Sequence, residues 1–285
     1  MRIQLNDADY YSYTAGHTPR ADRDTVVFVH GAAMDHSVWS HQSRYFAYHG
    51  YNIAAVDLPG HNLSGGELLT DIESMANWLR DLIARIDGRA IHLVGHSMGA
   101  LVALQAAADF ASPASTPSTA PASNNTVAAP LQSLALIGFS YPMAVTPRLL
   151  EAARDDPPAA YSMMTQWSHA SKIGGEPVPG FWSPGMQFRL MNNSAAGAVF
   201  ADLSACNKYT GGEDAFTQID RDCPLLFLCG RLDRMAPAKL ARAHADRHAN
   251  ADIVFLPDCG HSLLSEAPHG VLRELKTFIG REPRA

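Results

Sequence analysis

The chain predicts an α/β fold on a mostly parallel, doubly wound sheet, and three observations carry that prediction. Short apolar runs rich in β-branched residues alternate with longer segments of helical period. The runs are nearly unbroken rather than alternating, as strands covered on both faces should be. At 285 residues with 47% hydrophobic content, the chain has ample material for one large core.

Thr25-Val26-Val27-Phe28-Val29 is the clearest strand. Asn52–Val56, Ile91–Val94, Leu134–Ile137, Leu225–Cys229 and Asp252–Leu256 follow it. Between them, Thr70 and Glu73 have capping-box spacing. Ile72, Met75, Leu79, Leu82, Ile83 and Ile86 then recur at helical intervals, with Gly88 as a stop signal. Further helices are expected from Met98 to Ala108, Leu240 to Arg247 and Val271 to Ile279. The sequence contains no internal repeat.

Two segments break the rhythm. Residues 111–130 are almost entirely Ala, Ser, Thr, Pro and Asn, too polar to pack, and are expected to form a flexible surface insertion. Residues 140–219 are too long for a loop and lack strand alternation. They are expected to form a mostly helical cap, with a loop at 174–185. The predicted organisation is therefore a core of residues 1–139 and 220–285 and a cap of residues 140–219.

Composition excludes several function classes. The net charge of −6 has no accompanying basic run, which argues against nucleic acid. The N-terminal segment lacks the apolar stretch of a signal peptide, and no run suffices to cross a bilayer. A cytoplasmic location is the expectation. Four cysteines without a C-x-x-C pair impose no disulfide framework. Cys229, inside an apolar strand, reads as a small buried hydrophobe. The histidines lack metal-ligand spacing. His30, Asp57 and His61 each lie at the end of a different apolar run, but turn and cap roles account for them, so no metal is expected.

Gly95-His96-Ser97-Met98-Gly99 carries the chemistry. In G-x-S-x-G, a serine sits at a sharp strand-to-helix turn where its neighbours must be small. A strand precedes this one and a helical run follows it, so Ser97 is the expected nucleophile. Serine needs a base. His261, in Asp258-Cys259-Gly260-His261 after the last strand, is the preferred candidate over His92, His244, His248 and His269. Asp233 follows the Leu225–Cys229 strand and is the expected acid, ahead of Asp258, which is too close in sequence to His261. The order Ser, Asp, His fits the same scheme. Oxyanion donors are expected from the N–H of Met98 and of Ala32 in His30-Gly31-Ala32-Ala33-Met34.

With these motifs, the sequence resembles the α/β-hydrolase family in its esterase and thioesterase-like branch. The likeness rests on His30-Gly31, Asp57-Leu58-Pro59-Gly60-His61, the Gly95–Gly99 elbow, the G-x-x-D-x-x-x-P of Gly230 to Pro237, and Gly260-His261. Ser97 departs from family members that use an elbow aspartate, and His30–Met34 departs from the H-G-G-P-G of proline iminopeptidases. The resemblance implies hydrolysis of a carboxylic ester or thioester of a small to medium apolar molecule through an acyl-enzyme, without a cofactor. A C–C bond hydrolase, a perhydrolase or a hydrolase-like receptor would carry the same triad. The aromatic and Met-rich cap, including Trp182 and Met186, is expected to select the substrate.

Overall fold

The computed structural model of the protein describes residues 1–5, 7–110, 129–170 and 182–281. Among these, eight strands are present: β1 (Arg2–Leu5), β2 (Ala8–Tyr13), β3 (Thr25–Val29), β4 (Asn52–Val56), β5 (Ile91–His96), β6 (Leu131–Ile137), β7 (Leu225–Gly230) and β8 (Ala251–Leu256). They form one sheet in the order β1-β2-β4-β3-β5-β6-β7-β8. From β4 to β8 every neighbouring pair is parallel, while β1 and β2 are antiparallel additions at one edge. That edge hairpin gave no apolar run: β1 has only Ile3 and Leu5 between polar residues, and β2 is polar and aromatic.

Alternation along the central strands divides the core into two layers. Val27 and Val29 of β3 face the layer that holds helices α2 (Ile72–Ile83) and α3 (Met98–Phe110). Val26 and Phe28 face the opposite layer, with α1 (Ser40–Tyr48) and α11 (Pro268–Ile279). Both faces are covered, so each Val, Leu or Ile buried there contributes about 1.5–3 kcal/mol. Helix α2 starts one residue later than the spacing predicts. Its cap is Asp71, whose Oδ1 accepts from the Ser74 N–H at 2.7 Å, and not Thr70. Helix α1 has a weaker apolar face and left no clear periodicity.

Between β6 and β7 lie helices α4 (Pro147–Asp155), α5 (Pro157–Ser168), α6 (Ser183–Asn192), α7 (Ala198–Lys208) and α8 (Gly212–Gln218). Ser183, Pro184 and Gly185, expected in a loop, open α6, because proline in the first turn forfeits no helical hydrogen bond. The expected loop at 174–181 and most of the polar insertion, residues 111–128, lie outside the described residues. After β7 come α9 (Ala238–Ala245), β8, the short α10 (Leu263–Glu266) and α11. His244 of α9, one of the less preferred base candidates, is buried and stacks on Phe216 with ring centroids 4.6 Å apart.

The strand order reverses at β3: the next strand in sequence lies on one side of it and β5 on the other. Such a switch point opens a crevice beyond the strand ends. Val29 is paired with Gly95, so the segment starting at His30 leaves the sheet beside the one starting at His96.

Candidate active site

Ser97 stands between β5 and α3 with φ of 55°, a left-handed conformation that few non-glycine residues adopt. Its N–H donates to the Ile137 carbonyl at 2.9 Å. The flanking glycines make the turn feasible. A Cβ on Gly95 would collide with the Gly99 carbonyl, and one on Gly99 with the carbonyls of Val29 and His30. This is the steric content of the motif: the backbone is held tightly on both sides, and the serine is pushed up at the start of α3.

His261 and Asp233 come from the loops that follow β8 and β7. The Ser97 hydroxyl faces His261 Nε2 at 2.8 Å, and His261 Nδ1 faces Asp233 Oδ2 at 2.8 Å. The carboxylate can only accept, so Nδ1 carries the proton and Nε2 is free to accept from the hydroxyl. Asp233 Oδ1 accepts from the N–H groups of Met235 and Ala236, each at 2.8 Å. Burial alone would raise the pKa of Asp233. The His261 charge and hydrogen bond, with those two N–H groups, reverse this and hold it below the ordinary carboxylate value. Asp258, the weighed alternative, is exposed, and His261 makes its carboxylate contact with Asp233 instead.

The histidine loop is secured from several directions. His96, the variable residue of the elbow, donates from Nε2 to the His261 carbonyl at 2.9 Å. Burial, reinforced by the neighbouring His261, lowers its pKa to about 4, so it acts as a neutral donor. Buried Glu266 accepts from Gly260 N–H at 2.8 Å and from Ala170 N–H, beyond α5, at 2.7 Å. Sequence reasoning missed both. His96 was legible only as a motif filler, and Glu266 only as one acid between the histidine loop and the helix expected from Val271.

Of the expected oxyanion donors, Ala32 shares a cavity wall with Ser97, and Met98 follows Ser97 in the chain. Ala32 lines the cavity above the serine, and Met98 opens α3, where its N–H has no intrahelical partner. Among the described residues neither N–H has a hydrogen-bond partner. Both are placed at the positive end of a helix or in a tight turn, where an oxyanion is favoured.

The cavity holds about 440 Å³ and has Ser97 and His261 in its wall. The side built from the segment between β6 and β7 is mainly apolar, with Met143, Leu149, Met164, Trp167 and Leu203, and also carries Thr146, Ser168 and Gln187. Trp182 and Met186, expected in this wall, are 65% and 56% exposed and lie outside it. Met186 instead lines a neighbouring cavity of about 580 Å³, which meets the first at Met34, His96, Gln187 and Ser262.

Asp57 and His30 have the turn and cap roles foreseen for them, whereas His61 faces the Asp202 carboxylate of α7 at 3.0 Å. Asp57 accepts from the N–H and ring of His36, and His30 Nε2 accepts from the Leu58 N–H at 3.1 Å. Asp35, His36 and Asp57 could each offer a metal ligand atom within 4.8 Å of the others. These atoms are already engaged in capping the turn at His36–Trp39. All four cysteines are free and buried, and burial pushes the Cys229 thiol up to about 12, so it is a packing residue rather than a nucleophile.

A model of the alpha/beta hydrolase family matches residues 26–274, from β3 to within α11. The chain belongs to the alpha/beta hydrolase family. Solved structures with the same fold include an esterase (EaEST) from Exiguobacterium antarcticum, with TM-score 0.79, 17% identity and 98% and 99% of the two chains covered. The enol-lactonase from Burkholderia xenovorans LB400 has TM-score 0.77, 17% identity and 99% and 100% coverage. Among curated proteins, the (E)-2-((N-methylformamido)methylene)succinate hydrolase of Acinetobacter baylyi is 31% identical over 91 residues, 31% of this chain and 34% of that protein. The match thus spans about a third of the curated relative. This hydrolase has no helix, among its described residues, that is long and apolar enough to cross a membrane. Family membership does not identify the bond it cleaves, since one fold hosts many chemistries.

Proposed function

We propose that this hydrolase cleaves a carboxylic ester, or a thioester, of a small to medium apolar molecule through an acyl-enzyme. The observation that carries the reading is the unbroken relay from Ser97 Oγ through His261 to Asp233, both links at 2.8 Å, opening into a mainly apolar cavity. Ser97 Oγ attacks the acyl carbon while His261 Nε2 takes its proton. The carbonyl electrons move onto oxygen, which the Ala32 and Met98 N–H groups receive. On collapse, His261 protonates the leaving group. Water then repeats the sequence on the acyl-enzyme, and Asp233 stabilises the imidazolium in both halves.

These residues need no cofactor for this cycle. The residues around 140–219 serve as the cap that sets substrate size, and the four buried free thiols suit a reducing, cytoplasmic setting. The test combines a fluorophosphonate probe with a panel of acyl esters and thioesters of graded length. The expected result is labelling at Ser97 and sustained turnover of short to medium apolar esters. Labelling with no turnover would favour a receptor. Faster cleavage of vinylogous diketones would favour C–C bond hydrolysis, and peracid formation with peroxide would favour a perhydrolase.

A further inference from the structure

Asp202, in the second turn of α7, is fully buried although nothing in the triad uses it. A buried carboxylate is unfavourable unless it is paired and hydrogen-bonded. Its Oδ2 accepts from the Ala33 N–H at 2.7 Å and faces His61 Nε2 at 3.0 Å. Oδ1 is buried without a partner among the described residues. His61, also buried, has Nδ1 against the Pro59 carbonyl at 3.0 Å. A carbonyl and a carboxylate both only accept, so both ring nitrogens donate and His61 is an imidazolium. Asp202 is thus a buried acid carried by α7 and matched by a buried histidine from the core.

Its other partner gives this pair a role. Ala33 adopts φ of 55°, a conformation that must be imposed from outside on a residue with a Cβ. The turn also has the Met34 N–H on the Gly31 carbonyl and the His30 ring on the Leu58 N–H, both within the core. The Asp202 contact is the one that reaches this turn from α7. The residue held this way directly follows Ala32, which lines the cavity together with Ser97. Leu203 and Cys206, on the same two turns of α7, line that cavity.

We propose that Asp202 is a positioning residue that fixes the oxyanion turn through Ala33, so that the oxyanion site is complete only with α7 docked. The inference rests on the acyl-transfer reading. It predicts that removing the carboxylate impairs the transition state more than substrate binding.

The experiment measures kcat, KM and inhibition by an alkyl trifluoromethyl ketone for the whole protein and for Asp202→Leu, Asp202→Asn and Asp202→Ser. Ser97 Oγ adds to the ketone carbon, its proton passes to His261, and the ketone oxygen becomes the oxyanion. Leucine keeps the volume but cannot accept. Asparagine can present its oxygen in place of Oδ2. Asp202→Leu is expected to lower kcat about 10- to 100-fold, less than the loss of a whole oxyanion donor. KM should stay within about threefold, and ketone affinity should fall in step with kcat. Asp202→Asn should recover most of the loss. If Asp202→Leu does not fold, the comparison is Asp202→Asn against Asp202→Ser, with Ser the poorer catalyst and the weaker ketone binder. Unchanged ketone affinity in folded variants, or a loss confined to KM or melting temperature, overturns the inference. A wild-type protein that neither binds the ketone nor labels at Ser97 overturns the acyl-transfer reading instead.

Discussion

The strand ends and the cap helices contribute to one cavity by different means. At the strand ends, Ser97, the Ala32 turn, Asp233 and His261 are aimed by backbone geometry: a left-handed serine, two glycines without room for a Cβ, and a loop that wraps Asp233 with two N–H groups. In the cap, Met143, Leu149, Met164, Trp167 and Leu203 are aimed only by how helices α4, α5 and α7 and the segment before them pack. Backbone constraints admit few residue types and relax little. Apolar packing admits many and can adjust. On the proposed acyl-transfer reading, the strand ends carry the chemistry and the segment between β6 and β7 the substrate choice.

Disrupting the strand-end side should have the largest effect. Ser97→Ala is expected to lower kcat by about 10⁴-fold or more with melting temperature nearly unchanged, since triad members act as a unit. Asp233→Asn should cost on the order of 10³- to 10⁴-fold through the wrong imidazole tautomer. Steady-state kinetics with thermal melts checks both, and an Asp233→Asn variant near full activity would remove Asp233 from the relay.

The cap side should respond in selectivity rather than in rate. Leu203→Ala and Met164→Ala enlarge the cavity, and each should shift the preferred acyl length upward by a few carbons, with about five- to tenfold gains for the longer esters. A single methylene in such a pocket is worth about 1–3 kcal/mol. Trp182→Ala, outside the wall, should leave the chain-length profile unchanged. A p-nitrophenyl ester series from acetyl to dodecanoyl distinguishes these outcomes.

The contact between the two sides should depend on pH. Burial lowers the pKa of His61, but the charge and hydrogen bond of Asp202, with the Pro59 carbonyl, more than reverse this and raise it above the ordinary imidazole value. The other titratable groups facing it are Asp57 and His30. Burial and the neighbouring His61 lower His30 to about 4, so it stays neutral across the relevant range. A raised histidine contributes stability that is complete below about pH 6.5 and is lost as pH rises through its folded value. Thermal melts from pH 6 to 9 should show that decline in the wild type, and His61→Gln should lack it. Identical slopes would show that His61 does not titrate in this range.

The smallest effect is expected at the rim. Arg234 is the one Asp, Glu, Lys or Arg side chain among the described residues lining the cavity, and it is exposed. Arg234→Gln should reduce kcat/KM for carboxylate-bearing esters about two- to fivefold relative to neutral ones. This is the scale of an exposed charge interaction, and it should vanish at high salt. Equal effects on both ester classes would deny Arg234 a part in recognition.

The same division explains what could be read before the structure. The parallel strands were legible because burial on both faces forces continuous apolar runs, and the Ser, His and Asp loops because strained turns demand glycine at fixed offsets. The β1–β2 hairpin was not: β1 alternates over only four residues, and the polar and aromatic β2 offers no apolar run. Asp202 left no trace either. It is one acid in a cap helix, and its burial becomes evident only when α7 is placed against the His30–Met34 turn. Trp182 and Met186 misled for a related reason, since apolar residue type does not say which cavity, or whether any, a side chain faces.

The most direct test of the central claim is intact-mass analysis of the protein mixed with a slowly deacylating ester and quenched within one turnover. The account predicts a single acyl adduct, mapped by peptide digestion to Ser97, that forms in wild type and is absent in Ser97→Ala. Turnover of the ester with no adduct on Ser97, or the same adduct and rate in Ser97→Ala, would contradict it.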